Sequence, residues 1–402
     1  MQVTLIGLGG GTAETVTAEA RAALERAELV IGAARLLDAV PERAGQRRFS
    51  ATRSDEIMEL LAREDTFEAC VVFSGDTGFY SGAKARLPLL TERGIESRVL
   101  PGVSSAQLLA ARLGRPWQAW TLCSAHGADC DPVAALMRRE PAFFLTGGAQ
   151  TPATLCAEMV EAGLGDTRVT VGERLSYPDE RIVEVTAAEC ANMDFAPLSV
   201  LLAEAAGRPD VPAGGLSDED FVRGGVPMTK REIRAAALSQ LAVRHGDTVW
   251  DVGAGTGSVS VELALAADEG RVYAIERRDE ACDLIEANKR RFGAWNLRIV
   301  RGTAPEALRG LPAPDAVFIG GSKGNLRAVV EAALAANPHA RLCMTAIALE
   351  TLSAALEVCK AMDLEAEITQ IAVNRAKAAG ELHLLMANNP TFLIAAKRGG
   401  NV

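Results

Sequence analysis

The run Val249-Trp250-Asp251-Val252-Gly253-Ala254-Gly255-Thr256-Gly257, continuing into Ser258-Val259-Ser260-Val261-Glu262-Leu263, decides how the chain is read. Apolar residues around Asp251 describe the end of a buried strand, and the run after Gly257 describes a helix. Three glycines at alternate positions allow a tight turn and let backbone approach a ligand with no Cβ in the way. The helix that follows directs its unpaired N–H groups at the same spot. Strand, glycine loop and helix N-terminus together make a nucleotide-type pocket.

The spacing narrows the choice of nucleotide. A dinucleotide fingerprint runs G-x-G-x-x-G, whereas here Asp251 precedes glycines at 253, 255 and 257. No Gly-Lys-Ser/Thr follows, which excludes a Walker loop. The next strand, 271–275, ends at Glu276, where a carboxylate can take both hydroxyls of a ribose. This pattern resembles the class I S-adenosylmethionine (SAM) methyltransferases. The resemblance implies that Asp251, Gly253, Ala254, Gly255, Thr256 and Gly257 hold the methionine part of SAM and that Glu276 holds its ribose.

At 402 residues the chain has room for two or three domains, each with its own core. Its 42 basic against 52 acidic side chains leave a net charge of −10, which argues against nucleic acid as a partner. A polyanionic small molecule in a local basic pocket stays compatible. No apolar run reaches the length of a membrane span. Met1 leads straight into a strand with no basic leader or cleavage site, so the chain reads as cytoplasmic. Eight scattered cysteines without a C-x-x-C pair read as reduced packing thiols. Cys123-x-x-His126-x-x-x-Cys130 sketches a metal site but lacks a fourth ligand, and no metal is assigned.

From the start of the chain, Val3 to Ile6 is a buried strand and Gly7-Leu8-Gly9-Gly10-Gly11 its turn. Thr15 to Ala27 reads as a helix and Leu29 to Gly32 as the next strand. A dinucleotide reading fails here, because Thr12 stands where the third glycine belongs. Cys70 to Phe73 ends in Ser74-Gly75-Asp76-Thr77-Gly78-Phe79-Tyr80. Arg98 to Leu100 ends in Pro101-Gly102-Val103-Ser104-Ser105, which opens an apolar helix. Three strand ends carrying such loops imply one shared crevice. Past His126, strands at 142–145, 168–172, 181–185 and 198–202 suggest a second small α/β lobe.

These residues resemble the tetrapyrrole methylases (class III SAM methyltransferases), in the branch that forms the front half of precorrin-6Y C5,15-methyltransferases. The matches are Gly7-Leu8-Gly9, Ser74-Gly75-Asp76-x-Gly78-Phe79-Tyr80, Pro101 to Ser105, Ser124-x-His126-Gly127 and Glu173-x-Leu175-Ser176-Tyr177-Pro178-x-Glu180-Arg181-Ile182. The resemblance runs through nearly all of the first 205 residues. It implies SAM contacts at Gly75, Asp76, Gly78, Ser104 and Ser105, and tetrapyrrole contacts at Gly7 and Gly9. Gly10 and Thr77 depart from the family's prolines, and Ala128 from a basic residue after His-Gly.

Glu204 to Gly225, rich in glycine and proline, reads as a linker with few contacts. Beyond it, Val226-Pro227-Met228-Thr229-Lys230-Arg231-Glu232-Ile233-Arg234 opens a helix, with Thr229 as N-cap and Glu232 completing a capping box. This entry resembles that of the companion C15-methyltransferases/decarboxylases, whose threonine lines the SAM pocket. Gly302, Thr303 and Ala304 correspond to the turn that flanks the adenine. The loop after 315–319 faces the reacting methyl, and a strand from Asn388 to Ile394 closes a seven-stranded sheet.

The expected fold is α/β throughout: a two-lobed tetrapyrrole-methylase domain (1–205), a linker (206–225) and a seven-stranded, Rossmann-like class I methyltransferase domain (226–402). The combined resemblance implies a bifunctional enzyme of cobalamin biosynthesis that methylates C5 and C15 of precorrin-6B and decarboxylates its C12 acetate. An activated sulfonium methyl needs chiefly in-line placement, so no catalytic residue is assigned. The substrate's carboxylates call for Arg and Lys, and Lys230, Arg231, Lys323, Arg375 and Lys377 are the candidates. Related domains self-associate, so a homo-oligomer is expected. Two other readings stay open at this point. In one, only the C-terminal half is catalytic; in the other, the chain carries a tetrapyrrole without transforming it.

Overall fold

A computed structural model describes residues 1–127, 130–207, 209–212 and 214–399. Ala128 lies outside these described residues. The chain forms two compact units. One comprises residues 1–130, 140–157 and 166–204, the other residues 131–139, 158–165 and 205–402.

In the first unit β1 (Gln2–Gly7), β2 (Leu29–Gly32), β3 (Arg47–Ser50), β4 (Glu68–Phe73) and β5 (Glu96–Leu100) make a parallel sheet ordered β3-β2-β4-β1-β5. Val3, Leu5 and Ile6 of β1 are fully buried, because covering both faces of a parallel sheet demands a continuous apolar run. The helix expected from Thr15 begins at Ala18, since the Thr17 side chain accepts the Ala20 N–H and caps it there. A second sheet follows from β6 (Thr121–Ser124), β7 (Ala142–Leu145), β8 (Arg168–Glu173), β9 (Arg181–Thr186) and β10 (Ser199–Ala203), ordered β6-β7-β10-β8-β9. Only β6 and β7 are parallel, and β8 and β9 form the expected pair.

The second unit is built on β11 (Thr248–Val252), β12 (Arg271–Glu276), β13 (Leu297–Arg301), β14 (Ala316–Ile319) and β15 (Arg341–Ala346), all parallel. After β16 (Leu364–Ile371) come β17 (Asn374–Ala379), β18 (Leu382–Ala387) and β19 (Thr391–Arg398). The last inserts antiparallel between β15 and β16, giving the order β13-β12-β11-β14-β15-β19-β16. The sheet has the seven strands expected. Strand order reverses between β11 and β14, which puts the loop after β11 at the switch point where open α/β sheets bind ligands. Among the described residues β17 and β18 pair only with each other, and Leu382, Leu384, Leu385 and Met386 on β18 are exposed.

The linker reading needs correction over its second half. Leu216 and Phe221 are buried in the core of the second unit, and Asp218 is 2% exposed. Arg234, fully buried on the helix Arg231–Leu241, binds this strap from below. Its Nη1 donates to Asp218 Oδ1 at 2.7 Å and its Nε to Glu262 Oε1 at 3.0 Å. The Phe221 ring lies 4.8 Å from the guanidinium. An arginine among apolar residues is tolerated only when paired in this way. The Thr229 cap is also corrected. Lys230 is the N-cap residue and makes no side-chain cap bond. The Arg231 N–H is instead taken by Asp218 Oδ1 at 3.0 Å. Among the described residues, no helix is long and apolar enough to cross a membrane.

Candidate functional site

A cavity of about 620 Å³ opens at the carboxyl edge of the seven-stranded sheet. Its wall takes in Asp251, Gly253, Ala254 and Gly255 from the loop after β11, Glu276 from the end of β12, and Gly302, Thr303 and Ala304 from the turn after β13. Thr229, Lys230 and Lys323 also line it. Thr256 and Gly257, expected to contact ligand, are not among its lining residues.

The three glycines have positive φ of 75°, 58° and 75°, and they serve different ends. A Cβ on Gly253 would stand 2.5 Å from Gly321 O, so that glycine admits the neighbouring loop. One on Gly257 would stand 2.9 Å from Ile285 Cγ1, so that glycine seats the helix Asp279–Phe292. Gly255 alone meets nothing closer than Pro227 O at 3.2 Å and lies on the cavity wall. Here the missing side chain leaves the cavity wall open.

Glu276 is nearly buried. Its Oε2 accepts the Gly255 N–H at 3.0 Å, and its Oε1 accepts the N–H groups of Arg277 and Arg278 at 2.9 and 3.0 Å. Asp251 is fully buried, and its Oδ2 accepts the Ser260 hydroxyl. Among the described residues, its Oδ1 and Thr256 Oγ1 are buried without a protein partner. Burial, helped by the nearby Glu276 charge, pushes the Asp251 carboxyl up to about 7.

The proposed carboxylate clamps divide. Lys230 and Lys323 face the cavity. Arg231 is not on its wall, and Lys377 is exposed on β17. Arg375 is committed elsewhere, pairing with Glu232 at 2.7 Å and Asp218 at 3.4 Å. Arg277, Arg278, Ile347, Asn388 and Asn389 were missed and line the cavity. The Arg277-Arg278 pair directly after Glu276 was the legible signal, while Ile347 and the asparagines have none beyond following strands or a turn.

A second cavity, about 310 Å³, lies within the first unit. Gly9, Gly10, Gly75, Tyr80, Ser105 and His126 are on its wall. Gly9 and Gly75 exchange backbone hydrogen bonds of 3.2 and 2.8 Å, which ties the turns after β1 and β4 together. Gly7, Asp76, Gly78 and Ser104 are not among its lining residues. A Cβ on Gly7 would stand 2.6 Å from Gly75 O, so its role is close backbone packing. Asp76 is a brace: Oδ1 accepts from Gly78 N–H at 2.8 Å and Oδ2 from Gly102 N–H at 3.0 Å. Ser104 caps the helix Ser105–Leu113 in a capping box with Gln107. The two proline departures also have local reasons. A Cβ on Gly10 would stand 2.2 Å from Ser176 Oγ, and the Thr77 hydroxyl ties its loop to Leu100 O at 3.2 Å.

A family model described as Tetrapyrrole (Corrin/Porphyrin) Methylases matches residues 2–191, and one described as Precorrin methyltransferase domain matches residues 219–398. A Sinorhizobium protein named precorrin-6Y C(5,15)-methyltransferase [decarboxylating] is 35% identical over 341 residues, covering 83% of this chain and 81% of that protein. The chain belongs to the precorrin-6Y C5,15-methyltransferase (decarboxylating) family. The back half also matches a probable cobalt-precorrin-6B C(15)-methyltransferase (decarboxylating) from Pyrobaculum calidifontis, 44% identical over 185 residues, covering 45% of this chain and 95% of that one. A crystal structure titled precorrin-6y C5,15-methyltransferase, from Geobacter metallireducens, is 33% identical, covers 47% of this chain and 100% of its own, and has a TM-score of 0.45. Methyltransferases of such families generally use SAM. The larger cavity suits a group of that kind, offering an unpartnered buried Asp251 Oδ1 on its wall and a cradle at Gly255 that a Cβ would fill.

Proposed function

We propose that this precorrin-6Y C5,15-methyltransferase family member methylates C5 and C15 of precorrin-6B and removes carbon dioxide from the C12 acetate, drawing on two separate SAM sites. The observation that carries the reading is the presence of two glycine-built cavities of unrelated design, one in each unit. In this reading the first unit, about residues 1–205, serves C5. The second unit, which includes the 216–222 strap, serves C15 and the decarboxylation.

When bound, SAM supplies an already activated sulfonium methyl, so the protein's task is placement. Gly255 leaves room for the methionine part, Glu276 takes the ribose hydroxyls, and Thr229 with Gly302 to Ala304 encloses the adenosine. Lys230 and Lys323, with Arg277 and Arg278 beside them on the wall, are cations able to pair with substrate carboxylates. Decarboxylation needs an electron sink, and the conjugated macrocycle of the substrate provides one without a further cofactor.

The exposed ribbon of β17 and β18 supports self-association of the second unit, since an apolar strand face of this kind is normally covered. None of the eight cysteines is in a disulfide, in keeping with residence in the cytoplasm. Incubating the full chain with SAM and precorrin-6B tests the reading by mass spectrometry. Two methyl gains with loss of carbon dioxide are expected. A single methyl gain would leave one unit as a holder of the tetrapyrrole, and no gain would make the chain a carrier.

A further inference from the structure

The smaller cavity contains a side chain whose chemistry is so far unused, His126. It sits on the loop after β6, and that loop is tied down on both sides of it. The Ala125 N–H donates to Leu145 O at 2.8 Å. Beyond the histidine, the Cys130 N–H donates to Gln150 Oε1 at 3.0 Å while Gln150 Nε2 donates to Cys130 O at 2.9 Å. The imidazole packs on Gly147, where a Cβ would stand only 1.9 Å from Nδ1. Only glycine at 147 leaves the ring in this place. Among the described residues no hydrogen bond or ion pair occupies His126.

Three side chains on the cavity wall can titrate: Arg35, Tyr80 and His126. A guanidinium keeps its proton at any working pH. The Tyr80 hydroxyl donates to Leu122 O at 2.8 Å, and burial raises its pKa, with the Cys123 and Cys130 thiols adding to the effect. The imidazole is left as the wall group with a ring nitrogen free to accept a proton from a substrate in the cavity.

We propose that His126 is the catalytic base of the methyl transfer in this cavity, removing the proton that the methylated carbon must shed. The inference rests on the reading of this cavity as a C-methylation site. The acceptor carbon, an sp² CH of the conjugated ring, uses its π pair to bond the methyl carbon. The carbon–sulfur bond breaks as that bond forms, and its pair stays on sulfur as a neutral thioether. The acceptor carbon then carries both hydrogen and methyl, and the ring system carries the positive charge. That hydrogen leaves as a proton to Nε2 of His126, the ring nitrogen turned away from Gly147. The released C–H pair restores the conjugation. His126 is exposed, so the imidazolium can return its proton to water.

Full-length His126→Gln and His126→Ala proteins test this with precorrin-6B and SAM. The rate of C5 methylation should fall by roughly a hundred- to ten-thousand-fold, the range of general-base catalysis. C15 methylation, decarboxylation and the calorimetric isotherm for S-adenosylhomocysteine should be unchanged. The low-pH limb of the wild-type C5 rate profile should disappear, and added imidazole should restore part of the rate to His126→Ala. A His126→Gln protein within about threefold of wild type, a variant that binds S-adenosylhomocysteine as weakly as it reacts, or no rescue by imidazole would each overturn the assignment. If the wild-type chain itself gives no C5 methylation, it is the reading of the cavity that fails.

Discussion

The Gly255 N–H donates to Glu276 Oε2 at 3.0 Å, so the loop after β11 and the end of β12 are joined through one carboxylate. The same carboxylate takes the N–H groups of Arg277 and Arg278 through its other oxygen. It therefore shapes the loop while lining the cavity, where it is proposed to take the ribose hydroxyls. Glu276→Ala should weaken SAM binding to the second unit by roughly 1–3 kcal/mol, the value of a charged hydrogen-bond partner. Calorimetry giving wild-type affinity would remove Glu276 from the site.

The strap from Leu216 to Val222 belongs energetically to the second unit. Besides its bonds to Arg234, the strap donates the Leu216 N–H to Glu262 at 3.0 Å and the Val222 N–H to Asn288 at 2.7 Å. A fragment starting at residue 222 would leave the Arg234 guanidinium buried without Asp218. Breaking one partner of such a pair costs about 3–5 kcal/mol. The 206–402 fragment should therefore unfold at distinctly higher urea concentration than the 222–402 fragment. Equal midpoints would mean that the strap is ornamental.

Asp251 sets a pH dependence of known sign. Its carboxyl moves from the ordinary 3.8 to about 7 in the folded protein. A raised carboxyl pKa means the native state holds a proton that the unfolded state has lost. The stability due to Asp251 is thus complete below about pH 4 and falls as pH rises toward 7, by at most about 1.4 kcal/mol per pH unit. Asp251→Asn can still accept the Ser260 hydroxyl and has no such slope. Relative to wild type the variant should gain stability between these pH values. Parallel urea-stability profiles for the two proteins would show that Asp251 ionises normally in the fold.

Division of the chemistry is testable in one assay. Gly255 has a φ of 58°, and its Cβ would reach toward Pro227 O on the cavity wall. Gly255→Val should abolish C15 methylation and decarboxylation and spare C5. Asp76→Ala removes the acceptor of the Gly78 and Gly102 N–H groups, and it should abolish C5 methylation by loosening the loop after β4. Product masses should show one methyl gain in each case, with carbon dioxide retained only in the Gly255→Val product. Retained decarboxylation in Gly255→Val would place that step elsewhere.

What the sequence determined by itself was whatever depends on short range. Buried parallel strands announce themselves as continuous apolar runs, and the three positive-φ glycines at 253, 255 and 257 follow from backbone sterics alone. The two-lobed first unit and the seven-stranded second unit were legible on those grounds. Tertiary structure decided which polar residue faces what. Asp76 reads as a ligand contact, and the fold adds a bracing role, since its carboxylate accepts N–H groups 2 and 26 residues away. Arg375 reads as a clamp and is held by Glu232, 143 residues distant in sequence. Glycine- and proline-rich composition marks a turn-forming segment but is silent on burial, so the strap that receives Arg234 looks like a linker in the sequence. His126 looks like any loop histidine until Gly147 is seen to make room for its ring. Charge and hydrogen-bond partners are chosen by through-space distance, and distance of that kind is set only when the sheets assemble.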